Sequence, residues 1–473
     1  MKDLLKKTDN YFLILPILFL WIVKLPHLDL PFFWDEAWSY FPAIHKMYES
    51  GPGIFPGDLP LWDAKGHPLF FFFISSVWMK VAGLNIFFLR LLPMFISTGV
   101  LLASWTLLKK HISLSAANIA ILLISVQQLF LAQAAMFLPE MLVTLLLLIS
   151  LHAYLSRNFW VFSITGTAMV MTKETSIVFI ATFLINHLFY YLNPDRKSRP
   201  YIIESLLLAI PLLSYVVFLI LHKKAFGSWF FDDHLGYISI SGTEVLGKMK
   251  IALSSIFINW GRVLILISVL GAMAIAIYKK SKPILSSLAS VSLLLMIVFI
   301  SFSSFNFYTQ RYMLSMIVLF MIVASSILAK ARFGNRFINL TIVAILAVIP
   351  AFYTFTKKSN ADSDLGYIEV VHLHQEMVEF MEDQGWKNEP VSASFNMIFA
   401  LRNPILGYIQ TDQGFANVRD IKSFRQSRIF VHESTFYDDR SQLDSIKSEK
   451  FLLKRFENKH AWGEIYIETE ITP

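Results

Sequence analysis

The sequence contains no cysteine among its 473 residues. This absence excludes disulfide bonds, thiolate nucleophiles and cysteine-based metal sites, and it leaves the redox compartment open. Charged residues are also scarce, because they make up 16% of the chain, against roughly 25% in an average globular protein. No small-residue cleavage site follows the first apolar run, so we predict a retained first helix there and not a cleaved signal peptide. The sequence shows no internal repeat.

Apolar residues dominate the composition. Hydrophobic residues are 55% of the chain, 43 residues are phenylalanine and the mean hydropathy is +0.56. This composition predicts a polytopic membrane protein. Lys and Arg exceed Asp and Glu by 41 to 34, yet after residue 353 the acidic residues lead by 19 to 14. The basic excess therefore belongs to loops beside the membrane, and we do not interpret it as a nucleic-acid surface.

Eleven apolar runs have the length of membrane-spanning helices, about 20 residues or slightly less. They lie at 10–26, 88–108, 114–132, 138–156, 159–173, 175–192, 201–221, 262–278, 284–302, 312–329 and 337–355. The segment 68–81 is apolar but short, so we predict an interfacial or re-entrant helix there. With eleven spans, the basic loops fall on the side of the basic N-terminus, as the positive-inside rule requires. Lys223 and Lys224 are the exception.

The same topology places several polar segments together on the opposite, outer side of the membrane. They are residues 27–67, 138–140, 172–174, 223–250 and 303–311. Paired carboxylates in the first of these loops, Asp35 and Glu36, stand shortly after the first predicted span. Ionisable groups at the edge of the hydrocarbon phase are costly unless they are paired or functional, so we expect the chemistry there.

The chain becomes more polar after residue 353, and its pattern there is that of a soluble domain. Residues 369–384 have the apolar spacing of an amphipathic helix, and residues 390–395, 428–431 and 464–467 have the composition of short strands. The sequence thus predicts an all-α polytopic membrane domain at 1–353, whose catalytic first outer loop is 27–67. A small extracytoplasmic α/β domain at 354–473 follows it.

An ordered set of short motifs resembles one class of membrane enzymes. The motifs are Trp34-Asp35-Glu36, Gly66-His67-Pro68-Leu69, Pro139-Glu140, Thr172-Lys173-Glu174 and Arg311-Tyr312. Together they resemble the GT-C class of polyprenyl-phosphate-sugar glycosyltransferases, in the branch of protein O-mannosyltransferases and lipid A aminoarabinose transferases. Two positions depart from that branch, which often has Pro-Pro where this chain has only Pro68 and often has Asp where Glu140 stands.

The resemblance implies a GT-C fold with interfacial helices in the first outer loop. It also implies inverting transfer of a sugar from a polyprenyl-phosphate donor to an acceptor on the outer face. The acceptor would be a protein, a lipid A-type glycolipid or a polysaccharide. The implied location is a multi-pass protein of a bacterial inner membrane, with its site on the periplasmic face.

The carboxylates are the candidate catalytic residues. Transfer from a lipid phosphate needs a base for the acceptor's hydroxyl or amine, and we assign this role to Asp35. Glu36 is expected to orient Asp35 or to share a hydrogen bond with it. The alternative for the pair is a helix-end position in water. Glu140 is either a second acid of the site or a structural carboxylate that is favoured by the positive end of a helix dipole.

The basic residues are the candidate donor-binding residues. The departing phosphate needs positive charge, and Lys173 and Arg311 can supply it, with Tyr312 as a neighbouring hydrogen-bond donor. His67 is the next candidate substrate-binding residue. The alternatives are snorkelling of Lys173 to the interface and a helix-end anchor at Arg311.

A divalent metal ion is a further candidate component. Asp63 and His234 are the proposed metal ligands, with His67, Asp232 and Asp233 close by in sequence or on the same predicted side. Oxygen and imidazole groups suit a divalent ion that bridges a phosphate. The alternative for His234 is an ordinary solvated histidine in a polar loop.

The competing functional hypothesis is a polytopic transporter or flippase for lipid-linked or small solutes. A transporter would place ionisable groups near the bilayer midplane in repeated halves. Here the groups cluster at one predicted membrane edge and no repeat is found, so the sequence favours the transferase. Its expected partners are a lipid-linked sugar donor, a protein or glycolipid acceptor and membrane lipids.

Overall fold

The computed structural model of the protein describes residues 2–191, 200–280, 285–331, 334, 336–435 and 440–468. The membrane part consists of α-helices joined by short loops and single helical turns. These helices are α1 (Lys2–Lys24), α2 (Phe41–Ser50), α3 (Leu61–Ala64), α4 (Phe70–Ala82), α5 (Ile86–His111), α6 (Leu114–Ser125), α7 (Gln128–Gln133), α8 (Pro139–Leu155), α9 (Phe159–Thr172), α10 (Ile177–Tyr191), α11 (Pro200–Phe226), α12 (Asp232–Leu235), α13 (Gly242–Phe257), α14 (Arg262–Tyr278), α15 (Ser287–Phe305), α16 (Leu314–Leu328) and α17 (Arg336–Thr356).

Four of these helices begin at a side chain that caps the first turn. The side-chain oxygens of Asn85, Ser113, Asn158 and Ser286 accept hydrogen bonds from the backbone N–H groups of α5, α6, α9 and α15. The first N–H groups of a helix have no partner within the helix, and near a bilayer water is scarce. The caps therefore explain why these four helices begin where they do.

Helix α16 lies at the centre of the bundle. Its sequence, LSMIVLFMIVASSIL, is apolar or small on every face, and all of its residues are buried. A helix that is apolar all round can be enclosed on all sides by other helices. The turn that precedes it, Gln310–Met313, is thereby fixed at one end of the bundle core.

Ten of the eleven predicted runs each coincide with one helix, and the number of membrane crossings stays a prediction. Within the described residues, five helices are long and apolar enough to cross a membrane by length and composition, and α13 with α14 form a pair bent by 80° that is a broken span or a re-entrant loop. The predicted run at 114–132 is interrupted: α6 ends at Ser125 and α7 begins at Gln128. Gln127 lies between them, and its polar side chain donates to the Leu123 carbonyl and accepts a hydrogen bond from Arg262. This polar residue interrupts the apolar run.

Two segments outside the predicted spans form helices. The short apolar segment after Pro68 forms α4, whose 13 residues reach about 20 Å and fall short of a bilayer core. The predicted polar segment at 223–250 is not a single loop, because α11 extends to Phe226 and α13 begins at Gly242. The charged residues of α13 concealed its helical pattern.

The C-terminal part is an α/β domain with a five-stranded sheet. It comprises α18 (Tyr367–Asp383), β1 (Pro390–Ala393), α19 (Phe395–Arg402), β2 (Asn417–Asp420), β3 (Ile429–Glu433), α20 (Arg440–Glu449), β4 (Lys450–Glu457) and β5 (Trp462–Glu468). The strand order is β2-β1-β3-β5-β4. Strand β1 pairs in parallel with β2 and β3, whereas β5 pairs antiparallel with β3 and β4.

The predicted helix at 369–384 and the three predicted strands are confirmed as α18, β1, β3 and β5. Strands β2 and β4 were missed. Both lie at sheet edges, β2 has only four residues, and the middle of β4 is exposed on both faces. Such edge strands lack the alternation of apolar and polar residues by which a strand is recognised.

The loop that carries Asp35 packs between the bundle and the C-terminal domain. The Phe32 N–H donates to the Leu406 carbonyl at 3.0 Å. The Trp38 ring lies 5.8 Å from the ring of Phe395, and at the end of α1 the Lys24 amine donates to the Tyr367 hydroxyl at 2.7 Å. The C-terminal domain is therefore in direct contact with the segment that bears the candidate catalytic residues.

Candidate functional site

Five charged side chains from five separate chain segments meet at one place. They are Asp35 of the first loop, Glu140 in the first turn of α8, Lys173 directly after α9, Arg311 in the turn before α16, and Asp362 in the linker between α17 and α18. The first four are sequence-predicted site residues. The structure thus brings together side chains that are up to 276 residues apart in sequence.

Arg311 is the hub of this cluster. Its Nε donates to Glu140 Oε1 at 3.2 Å, its Nη1 donates to Asp362 Oδ2 at 2.9 Å and its Nη2 donates to Asp35 Oδ2. The residue is only 5% exposed, so it contacts neither bulk water nor lipid to any extent. The alternative of a helix-end anchor at the interface is therefore inconsistent with its position.

Lys173 extends the cluster on the side away from Asp35. Its amine donates to Glu140 Oε1 at 2.7 Å and lies 3.6 Å from the centre of the Tyr312 ring. Lys173 is buried as well, which excludes snorkelling. One carboxylate oxygen of Glu140 thus bonds to both cations, while no described residue hydrogen-bonds its buried Oε2.

Asp35 remains partly accessible. Its side chain is 19% exposed, and its Oδ1 accepts a hydrogen bond from the Trp38 indole at 2.7 Å. The backbone on both sides of Asp35 is unusual. Trp34 before it has a left-handed conformation (φ 54°), and a π-helical turn, Glu36–Tyr40, follows directly. Such sparsely populated conformations are held by their surroundings and recur at functional sites.

Glu36 does not contact Asp35, in contrast to the expectation from sequence. It is fully buried and accepts hydrogen bonds from Arg90 at 3.0 and 3.3 Å and from the Phe137 N–H at 2.6 Å. Arg90 also donates to the carbonyls of Leu30, Pro31 and Ala135. The Glu36–Arg90 pair therefore fastens the first loop to α5 and to the residues that lead into α8.

Sequence reasoning missed Arg90, although a signal was present. A single arginine inside the predicted span at 88–108 is costly in a membrane, and it calls for a partner. Asp362 and Glu174 were also missed as site residues. Asp362 is one acid in a polar linker, and nothing in the sequence distinguishes it from its neighbours.

Three side chains could hold a metal ion. The ligand atoms of His67, Glu174 and His234 all lie within 4.8 Å of one another, and His67 Nδ1 is 2.9 Å from Glu174 Oε2. Burial, together with the neighbouring His67, lowers the pKa of His234, so its ring is neutral at neutral pH, the form that binds metals. Two imidazoles and one carboxylate are a set that zinc accepts.

Asp63 does not belong to this group. Its carboxylate forms an ion pair with Lys46 at 2.6 Å, and Glu174 takes the place that the sequence analysis gave to Asp63. Asp232 and Asp233 are exposed and also lie outside the group. Gly66, which precedes His67, has a positive φ of 70°, and a Cβ at this position would come within 2.7 Å of Phe231, so both the backbone and the close packing require glycine here.

One cavity adjoins the charged cluster, and a second lies along α9. A small one of about 20 Å³ lies against Glu140, Lys173, Arg311 and Tyr312, and it is no larger than the space of roughly one water molecule. A larger apolar cavity of about 500 Å³ lies between α4, α9 and α11 under the loop at residues 54–56. Its lining includes Met171, two residues before Lys173.

Comparison of the structure with solved structures identifies the fold. The chain is similar to ArnT from Cupriavidus metallidurans in the apo state, with a TM-score of 0.57 and 12% identity over 97% of this chain and 98% of that one. It is similarly related to the same protein bound to undecaprenyl phosphate, with a TM-score of 0.56 and 12% identity over 96% and 98% of the two chains.

A third similar structure is the archaeal oligosaccharyltransferase AglB from Archaeoglobus fulgidus, with a TM-score of 0.49 and 11% identity over 90% of this chain and 69% of that one. No model of a protein family matches the sequence, and no curated protein sequence matches it. The match to ArnT over nearly the full length of both chains shows that this protein has the GT-C fold that the motif set predicts.

Proposed function

We propose that the protein is a membrane glycosyltransferase that moves a sugar from a polyprenyl-phosphate donor to an acceptor, with inversion at the anomeric carbon. The observation that carries the proposal is the cluster in which Asp35, Arg311, Glu140 and Lys173 meet. It combines a partly exposed carboxylate with two buried cations, and these are the groups that the reaction needs.

In the proposed reaction, Asp35 takes the proton from the acceptor's hydroxyl or amine as that group attacks the anomeric carbon. The bond between this carbon and the phosphate oxygen breaks, and the phosphate leaves with the electron pair. Lys173 and Arg311 stabilise the charge that develops on the phosphate, with Tyr312 beside them. Attack from the face opposite to the phosphate inverts the configuration in a single displacement.

The apolar cavity supports a lipid donor. Ile164, Thr167, Ala168 and Met171 line it at the spacing of one face of α9, and Lys173 directly follows the end of this helix. A chain of isoprene units in this cavity would bring its phosphate towards Lys173. One of the similar structures, ArnT, has undecaprenyl phosphate bound, which supports the same donor class here.

We extend the proposal to a divalent metal ion, most suitably zinc, held by His67, Glu174 and His234. When bound, the ion would supply Lewis-acid charge near the donor's phosphate. We expect purified protein to contain zinc in a stoichiometric amount by mass spectrometry of metals, and His234→Ala to lose most of it. Asp63→Asn is the matched control and should retain it. Equal metal content in the two variants would contradict the ligand assignment.

The location of the proposed site on the outer face is also testable. The protein has no cysteine, so single reporter cysteines can be placed at Ser115, at the start of α6, and at Ser448, in the C-terminal domain; both side chains are exposed. We expect an impermeant thiol reagent to label Ser448→Cys from outside and to label Ser115→Cys only after permeabilisation. Labelling of both from outside would contradict the predicted crossings.

Lipid and glycoconjugate analysis of a deletion strain tests the function itself. We expect a polyprenyl-phosphate sugar to accumulate and the matching sugar to disappear from a glycolipid, a polysaccharide or a glycoprotein, as measured by mass spectrometry. Complementation with the gene should restore both. Unchanged glycoconjugates together with altered solute uptake in membrane vesicles would favour the transporter alternative instead.

A further inference from the structure

The charged cluster contains more carboxylates than cations. Asp35, Glu140 and Asp362 surround Arg311, and Lys173 is the only other cation that bonds to one of them among the residues that the structure describes. Four of the five side chains are at most one-tenth exposed. With all groups ionised, the cluster has one negative charge in excess.

An anionic donor makes this imbalance worse. A polyprenyl-phosphate sugar is a phosphodiester, which brings one further negative charge into a buried place, where unpaired charge is expensive. Each of the three side-chain nitrogens of Arg311 already donates to a carboxylate, so only the second N–H of Nη1 and of Nη2 remains for a further acceptor. The cavity beside it, at about 20 Å³, admits no phosphate in this arrangement. One carboxylate must therefore give up Arg311 when a phosphate binds.

We propose that Asp362 is the carboxylate that gives up Arg311 to the donor's phosphate, and that it takes up a proton from solvent as it does so. This inference rests on the proposed function, and it adds a positioning residue from the linker to the C-terminal domain. Asp362 then controls whether Arg311 is available to the donor.

The bonding of the three carboxylates singles out Asp362. Glu140 bonds to two cations through one oxygen, and Asp35 has the Trp38 indole as a second donor. The side chain of Asp362 has Arg311 as its one hydrogen-bond donor among the described residues. Asp35 must also stay ionised in order to act as a base.

Asp362 can release Arg311 more simply by taking up a proton than by moving away, because hydrogen bonds hold its backbone from two sides. The Gln133 amide donates to the Asp362 carbonyl at 2.7 Å, and the Gln128 amide donates to the Lys357 carbonyl at 2.7 Å. On the other side, the Asn360 amide donates to the Ser434 carbonyl at 3.2 Å. The carboxyl group can therefore lose its charge without displacement of the linker.

The surroundings of the carboxyl group favour this protonation. Burial raises the pKa of Asp362 to about 6, although Arg311 lowers it, and Asp35 and Glu140 add to the rise. Helix α7 places only the neutral Gln133 against Asp362. The charged residues of the linker bond elsewhere: Asp364 bonds to Ser359, and Lys358 bonds to Glu369. Above pH 6 the free protein has an ionised Asp362, whereas the complex retains the proton. Donor affinity should therefore be constant at low pH and fall as the pH rises through 6.

The test is a binding titration with methyl undecaprenyl phosphate, a non-transferable phosphodiester. A phosphomonoester would itself titrate near pH 6, and the diester avoids this. EDTA in the buffer keeps a divalent ion at His67, Glu174 and His234 from supplying positive charge. We expect purified wild-type protein to bind the probe about tenfold or more weakly at pH 8 than at pH 6, because one proton is taken up.

Two variants separate Asp362 from its surroundings. Asp362→Asn should bind the probe equally at pH 6 and pH 8, and more tightly than wild type at pH 8. The matched control is Asp364→Asn, on the same linker, whose buried carboxylate bonds to Ser359 and to the Gly366 N–H and not to Arg311. It should retain the wild-type pH dependence. A pH dependence that survives in Asp362→Asn would overturn the proposal.

Calorimetry on wild-type protein gives a result that does not depend on a folded variant. Titrations at pH 7.5 in two buffers with different heats of ionisation should show uptake of about one proton per probe bound. Uptake near zero would overturn the proposal while leaving the glycosyltransferase function in place. Wild-type protein that fails to bind the probe at pH 6 would instead contradict the proposed donor, and with it the inference.

Discussion

Asp35→Asn should reduce sugar transfer by about a hundredfold or more while the protein still folds. The substitution keeps the size of the side chain and an oxygen for the Trp38 indole, which now donates to Asp35 Oδ1 at 2.7 Å. It removes the group that accepts the acceptor's proton. Turnover of a polyprenyl-phosphate sugar by purified variant, compared with wild type under saturating donor, measures the effect.

A neighbouring aspartate provides the control for this prediction. Asp29 lies in the same loop and is exposed, so Asp29→Asn should transfer sugar at the wild-type rate. Elution volume and thermal midpoint in detergent should be the same for all three proteins. Near-normal transfer by Asp35→Asn would remove Asp35 as the base, and Glu140 would replace it as the candidate, because its Oε2 lacks a hydrogen-bond partner among the described residues.

The membrane helices could be predicted from sequence because their signal is local. A long run of apolar residues by itself indicates a membrane helix, and each of the eleven runs lies on helical residues. The π-helical turn after Asp35 and the bend between α13 and α14 have no such signal. Each depends on how the surrounding elements pack, and no local pattern in the sequence indicates that packing.

Four of the five charged residues of the cluster could be predicted from sequence, but their hydrogen bonds could not. Asp35, Glu140, Lys173 and Arg311 could be selected because each is an ionisable residue at a predicted helix end. Their pairing could not be, since Arg311 bonds to residues 276, 171 and 51 positions away. Sequence separation carries no information about such contacts. The metal group shows the same limit, because the sequence analysis selected Asp63 as the oxygen ligand, whereas the fold places Glu174 beside His67 and His234.

Arg90→Met should destabilise the protein by about 3–5 kcal/mol, the usual cost of breaking a buried ion pair. The substitution leaves the Glu36 carboxylate buried with only two backbone N–H donors among the described residues, those of Phe33 and Phe137. It also leaves the carbonyls of Leu30, Pro31 and Ala135 without the donor they now share. The thermal midpoint in detergent, followed by intrinsic fluorescence, should fall by many degrees.

An exposed arginine–glutamate pair gives a matched comparison. Arg425 and Glu449 are bonded at 2.8 Å on the surface of the C-terminal domain, where both side chains are largely exposed. Because water and salt screen exposed ion pairs, such pairs contribute little to stability, and Arg425→Met should change the midpoint little. Equal shifts in Arg90→Met and Arg425→Met would mean that the buried pair does not fasten the first loop.

Glu36→Gln decides between a structural and a catalytic role for Glu36. The glutamine keeps one oxygen for the backbone N–H groups but loses the charge that pairs with Arg90. If Glu36 acts only by fastening the loop, the variant should lose thermal stability and retain transfer activity in proportion to the folded fraction at low temperature. Adding Arg90→Met to it should then cost less than the sum of the two single changes, because the pair acts as a unit. A variant with the wild-type thermal midpoint but a hundredfold loss of turnover would instead assign Glu36 to the chemistry, beside Asp35.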